Sequence, residues 1–126
     1  MQIILDTNAL VYAAKNKLDL VQTLKEKFGL LAIYIPNLVI EELKILVNTA
    51  DKASDREAAS LALKIIQQKK IKEIQLSGET DKAIAEYAIK HQSGVLTNDL
   101  KLKYLLRSGH VKVYVMRQGN HIEEWN

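Results

Sequence analysis

Short apolar runs alternate with helix-period patterns along the whole 126-residue chain, and this alternation limits the available folds more than any other feature. The runs read as strands over 2–6, 31–35, 72–76, 95–97 and 111–116, with Pro36 ending the second. Helical periodicity fills 8–15, 20–28, 38–49, 81–91 and 100–107. Asp19 is placed to cap the second of these helices, Gly29 to stop it, and Val21, Leu24 and Phe28 to form its apolar face. Ser54-x-x-Glu57 has the form of a capping box, opening a further helix with Ala58, Leu61, Ala62, Ile65 and Ile66 on one face. The last ten residues read as polar and irregular. Strands alternating with helices predict an α/β fold with three layers, α/β/α, around a central, mainly parallel five-stranded sheet. The length suits one domain over 1–126. In such sheets ligands bind beyond the carboxyl ends of the strands, which directs the search for chemistry to a few residues.

Much chemistry is excluded at once. There is no cysteine, so disulfide scaffolds, thiol catalysis and cysteine-based metal sites are ruled out. No dinucleotide fingerprint, P-loop or hydrolase elbow occurs. His91, His110 and His121 lack metal-motif spacing and read as surface or helix-end residues. No run is long enough to span a bilayer. Met1-Gln2 leads straight into Ile3-Ile4-Leu5-Asp6 without the pattern of a secretory signal, so a cytoplasmic protein with no membrane partner is expected.

Four carboxylates stand out. Asp6 ends the first strand and Asp99 follows the fourth across Asn98, so both should sit at the carboxyl edge of the sheet. Each is also suited to cap the helix after it. Glu42 has Leu38, Val39, Ile45 and Leu46 as its helical neighbours, which puts a carboxylate on an apolar face, whereas Glu41 reads as a solvated edge position. Asp81 shares a stripe with Ile84, Ala85 and Ala88, although an acid in a first helical turn also favours the dipole. Asp19, Asp51, Asp55 and Glu79 are explained by helix starts and are assigned no chemistry. Four converging carboxylates would repel one another and would not all ionise, unless a divalent cation joined them. Hard ions such as Mg²⁺ and Mn²⁺ prefer carboxylate oxygen and need neither His nor Cys. Such a site polarises a phosphodiester and orients water for in-line attack.

On these residues the sequence resembles the PIN-domain family of metal-dependent ribonucleases. The likeness rests on Asp6-Thr7-Asn8, on Val39-Ile40-Glu41-Glu42-Leu43, on Asp81-Lys82-Ala83-Ile84-Ala85 and on Thr97-Asn98-Asp99, in that order over nearly the whole chain. The resemblance implies a single PIN-like nuclease domain, with Asp6, Glu42, Asp81 and Asp99 as a catalytic quartet holding Mg²⁺ or Mn²⁺. Thr7, Asn8, Thr97 and Asn98 are then supporting or substrate-positioning groups. It further implies endonucleolytic RNA cleavage by a metal-activated water, leaving a 5′-phosphate and a 3′-hydroxyl, and a homodimer. Two subgroups fit. One is the VapC-type toxin, with an antitoxin protein as partner. The other is the stand-alone archaeal type, similar to PIN endonucleases that process small-subunit ribosomal RNA. The ending Val113-Tyr114-Val115-Met116-Arg117-Gln118 resembles the second. A binding module with this fold and little catalysis is the alternative from another class.

Lys15, Lys17, Lys101, Lys103, Arg107 and Arg117 follow the acid-bearing segments and are the candidates for RNA phosphate contacts. Taken singly, each also reads as the ordinary charge of a solvated helix. Tyr12, Tyr104 and Trp125 are candidates for stacking on bases, with packing the commoner use of such tyrosines. The net charge is only +3, but setting the quartet aside leaves 18 Lys+Arg against 11 acids, or +7. A negative pocket within a basic surface is the layout expected of a protein that draws in a polyanion.

Overall fold

Ile3, Ile4, Leu5, Val95 and Leu96 have no solvent exposure, because their strands are covered on both faces. The computed structural model describes residues 1–118 and 120–125. In chain order the elements are β1 (Gln2–Leu5), α1 (Thr7–Lys15), α2 (Leu20–Phe28), β2 (Ala32–Pro36), α3 (Asn37–Thr49) and α4 (Ala53–Gln68). They continue with β3 (Lys72–Ile74), α5 (Thr80–His91), β4 (Gly94–Leu96), α6 (Leu100–Arg107), β5 (Val113–Arg117) and β6 (His121–Glu124).

The strands form one sheet in the order β3-β2-β1-β4-β5-β6. All neighbours are parallel except β5 and β6. From β1 the chain steps outward to β2 and β3, then returns to the other side of β1 and steps the opposite way through β4 and β5. Right-handed crossovers therefore send helices to opposite faces. Helices α1, α3 and α4 pack on one another, and α5 packs on α6. This is the expected three-layer α/β/α arrangement with a mostly parallel sheet. The strand order reverses between β1 and β4, where the crevice of a doubly wound sheet opens.

Two expectations are corrected. The sheet has six strands rather than five, because part of the segment read as irregular returns as β6. It pairs Met116 with Ile122 and Arg117 with His121. Ile122 is the one apolar residue of that strand and is 3% exposed, so a single inward side chain gave little alternation to read. The capping box at Ser54 does not form. Helix α4 starts two residues earlier, capped at Lys52, whose carbonyl accepts the Asp55 and Arg56 backbone N–H groups at 3.1 Å. The Arg56 guanidinium closes the α3–α4 corner instead, donating to the carbonyl oxygens of Ala50 (2.6 Å) and Asp51 (3.1 Å). On α4, Ala58, Ala62 and Ile66 are buried, whereas Leu61 is 40% exposed.

Candidate active site

Asp6 and Asp99 lie on either side of the switch point, one after β1 and the other three residues after β4. Each caps a helix. Asp6 Oδ1 accepts the Thr7 backbone N–H at 2.8 Å, and Asp99 Oδ1 accepts that of Lys101 at 3.0 Å. Capping does not exhaust either residue, because both side chains also line a cleft of about 470 Å³ at the carboxyl edge. Asp81, in the first turn of α5, lines it from one side and Glu42, on α3, from another. Glu42 is half-buried and Glu41 exposed. The Glu42 face forms a cleft wall rather than core, since Val39 and Leu43 are buried while Ile45 is 59% exposed.

Thr97 links the two strand ends. It is fully buried. Its hydroxyl donates to Asp6 Oδ2 at 2.6 Å and accepts the Asp99 N–H at 3.0 Å. The Thr7 hydroxyl donates to Glu42 Oε1 at 3.1 Å, joining the start of α1 to α3. Asn8 Oδ1 accepts the Asn98 N–H at 3.0 Å. The Asn98 amide extends the β4–β5 pairing, donating to Met116 O at 3.2 Å and accepting the Met116 N–H at 2.9 Å. Thr7, Asn8, Thr97 and Asn98 thus form one hydrogen-bonded frame around the acids.

The electrostatics follow from this crowding. Asp6 is 4% exposed, and burial pushes its carboxyl up to about 6. The Thr97 and Thr7 hydrogen bonds oppose that rise, and the nearby Asp81 and Glu42 charges add to it. Asp81 is also raised, first by burial and then by Asp99, with Lys101 opposing. Outside the cleft, Glu79 is lowered by its hydrogen bond from Lys101.

Every candidate donor here is a carboxylate, hydroxyl or amide oxygen, which suits a hard divalent cation. Among the described residues, no three His, Cys, Asp or Glu side chains are arranged to hold an ion as they stand. The histidines are all exposed.

The basic residues are not gathered together. Lys15 lines the cleft and pairs with Asp55 at 2.8 Å. Lys101 pairs with Glu79 at 2.8 Å, beside Asp81 and Asp99. Arg117 pairs with Glu123 at 3.4 Å, and its carbonyl accepts the Tyr12 hydroxyl at 3.2 Å. Lys103 and Arg107 do not reach the cleft. Both pack on Trp125, with their cationic groups 5.2 and 5.6 Å from the ring centre, and Lys103 is 9% exposed. Trp125 also meets Tyr104 edge-on at 5.6 Å. Lys17 lies away from the acids, along an apolar hollow between α1 and α4. Sequence reasoning missed Val11, Leu46, Ala50 and Asp55 as cleft residues. Asp55 was unreadable because its place depends on how α4 packs on α1, and nothing local to residue 55 encodes that.

A three-layer fold with an acid-lined cleft at the switch point defines the class as a PIN-type α/β domain. The chain belongs to the PIN-like domain family, whose sequence model matches residues 3–119. It is 29% identical over 119 residues to Ribonuclease VapC9 of Archaeoglobus fulgidus, covering 94% of this chain and 85% of that protein. Among solved structures it is similar in fold to the PIN domain endonuclease Utp24, with a TM-score of 0.78 at 22% identity over 98% of this chain and 90% of that one. It is also similar to a chain of VapBC2 from Rickettsia felis, solved bound to a promoter DNA fragment. There the TM-score is 0.68 at 22% identity over 93% of this chain and all of that one. A domain of a functionally unknown protein from Methanocaldococcus jannaschii gives a TM-score of 0.63 at 19% identity, over 99% and 97% of the two chains.

Proposed function

We propose that this chain is a divalent-metal-dependent endoribonuclease and that residues 1–126 act as one nuclease unit. The observation that carries the reading is the cleft itself, where Asp6, Glu42, Asp81 and Asp99 line one wall system at the sheet's switch point. Mg²⁺ or Mn²⁺ is the fitting ion, held by those four carboxylates. When bound, it supplies neutralisation of the crowded acids and Lewis-acid polarisation of the phosphodiester and of water. The chain's own part is positional. Thr97 fixes the Asp6 carboxylate and, through the Asp99 N–H, the start of α6. Thr7 steadies Glu42. Asn8 and Asn98 hold the two strand ends in register. Lys101, paired with Glu79, stands beside Asp81 and Asp99 at the acidic rim, from which it could turn to a phosphate.

The test is cleavage of a single-stranded RNA by purified protein in Mn²⁺. The expected result is endonucleolytic cutting that chelator abolishes and that Asp99→Asn lowers by about a hundredfold or more. Equal activity in Asp99→Asn, or in chelator, contradicts the reading. Processing of ribosomal RNA by a stand-alone cytoplasmic enzyme is the role we place first. The likeness to Ribonuclease VapC9 favours a second reading, a toxin held by an antitoxin. That reading predicts a small copurifying protein that inhibits cleavage, and a partnerless, non-toxic protein counts against it.

A further inference from the structure

The cleft does not end at the acids. Asn8, Val11, Tyr12 and Lys15 follow one another at helical spacing along a single stripe of α1, and all four line it. Facing them on α3 are Glu42 and, one turn on, Leu46, with Ala50 beyond. Asp55 from α4 closes the far end, where its Oδ1 pairs with Lys15 Nζ at 2.8 Å. One cavity thus has acids at one end, apolar side chains and a tyrosine ring in the middle, and a cation–carboxylate pair at the other. Helix rise carries Lys15 about 12 Å along the axis from Thr7, and helical side chains lean back toward the N-terminus. That separation places the pair beside a nucleotide neighbouring the phosphate at the acids, rather than at that phosphate. The Tyr12 ring cannot swing away freely, because its hydroxyl is tied to Arg117 O.

We propose that this arm of the cleft is a nucleobase subsite selecting guanine next to the cleaved phosphate. The inference rests on the ribonuclease reading above and adds its sequence preference. Val11, Leu46 and Ala50 exclude water from the faces of a base, and Tyr12 offers a π-surface, both of which any base would use. Selection comes from the polar end. Lys15 presents donors only and Asp55 acceptors only, side by side. The Watson–Crick edge of guanine has the matching order, with O6 to accept from Lys15 and N1–H and N2–H₂ to donate to the two Asp55 oxygens. Adenine and cytosine place an amino donor where Lys15 needs an acceptor. Uracil offers O4 and N3–H but lacks the second donor. The pair is 40% and 34% exposed at its side chains, so a base edge can reach it from the open side of the cleft.

The test uses Mn²⁺-loaded protein and single-stranded RNA oligonucleotides that are otherwise identical and carry one G, A, U or C in a uniform background. Cutting beside guanine should exceed cutting beside adenine by about tenfold or more, as one bidentate base contact gives. Asp55→Asn and Lys15→Met should each reduce that ratio to about threefold or less. Thermal unfolding of both variants reports on the pair as a clasp between α1 and α4. A lowered melting temperature with an unchanged guanine ratio overturns the proposal, as does wild-type cutting without base preference. If no oligonucleotide is cut, the ribonuclease reading fails instead. The subsite is then judged by binding of GpU against ApU to the full chain, where equal affinity overturns it and a guanine preference lost in Asp55→Asn supports it.

Discussion

Burial lifts the Asp6 carboxyl from an ordinary value of 3.8 to about 6, and this makes the residue an opponent of folding at neutral pH. The folded state holds the proton better than the unfolded chain, so the stability due to Asp6 is fully present below about pH 4. It is lost as pH rises through about 6. Asp81 acts in the same direction. Metal-free protein in chelator should therefore lose stability between pH 4 and 6. Asp6→Asn should flatten that slope and, at pH 7, raise unfolding stability by about 1–3 kcal/mol while abolishing RNA cleavage. Urea denaturation at a series of pH values measures it, and an unchanged slope would contradict the assignment. At this scale the candidate acids were legible, because a carboxylate after an apolar strand, or on an apolar helix face, breaks a pattern. Thr97 carries as much of the geometry, yet a threonine ending a strand breaks no pattern. Family resemblance alone singled it out, and the contact it makes, a hydrogen bond of 2.6 Å to Asp6 91 residues away, is set by the fold.

Elements were legible where a periodic run had a physical stop. Helix α2 occupies its expected residues, with Asp19 accepting the Gln22 N–H and Gly29 at a positive φ of 71°. Helix α6 likewise matches, opening on Asp99. The misreadings arose where tertiary partners decide. Strand β6 exists because Ile122 enters the core and β5 offers an edge, and α4 begins where Arg56 can reach back to α3. The α5–α6 contact makes a comparable prediction. A Cβ at Gly109, just past α6, would overlap the Ile89 side chain of α5, whose branched Cβ leaves it little room to turn. Gly109→Ala should cost about 1–3 kcal/mol in unfolding free energy, and Ile89→Ala in the same chain should recover part of that loss. Calorimetry on the two variants and their combination checks it. Additive losses would show that the two sites do not share the space.

Across the whole molecule, the excess of basic residues is less available than the sequence suggests. Lys15, Lys101, Lys112 and Arg117 are each paired with an acid, and Lys103 and Arg107 are folded over Trp125. The expected negative cleft is present, but the charges around it are largely neutralised in place. RNA binding should therefore release few counterions. A plot of log K against log salt should have a slope of about −2 or shallower, that is, about three phosphates at −0.7 each. Filter binding of a short single-stranded RNA across a salt series measures it, and a slope steeper than about −4 would contradict it, pointing to a more basic surface such as the hollow lined by Lys25, Lys69, Lys70 and Lys72. Among the described residues, no helix is long and apolar enough to cross a membrane. The alternation of strands and helices made the architecture legible from sequence, and the carboxyl-edge rule located the cleft. Of the arm beyond the acids, Tyr12 and Lys15 were named from sequence, but their assembly with Leu46, Ala50 and Asp55 was not legible, because α1, α3 and α4 build it together. The function proposed for the cleft requires that its four acids share a cation. Crystals of the protein soaked in Mn²⁺ and measured at the manganese absorption edge give the most direct answer. The prediction is an anomalous peak in contact with Asp6 and at least one of Glu42, Asp81 and Asp99. A saturating soak that leaves those four carboxylates without a peak, in protein that still cuts RNA, would contradict it.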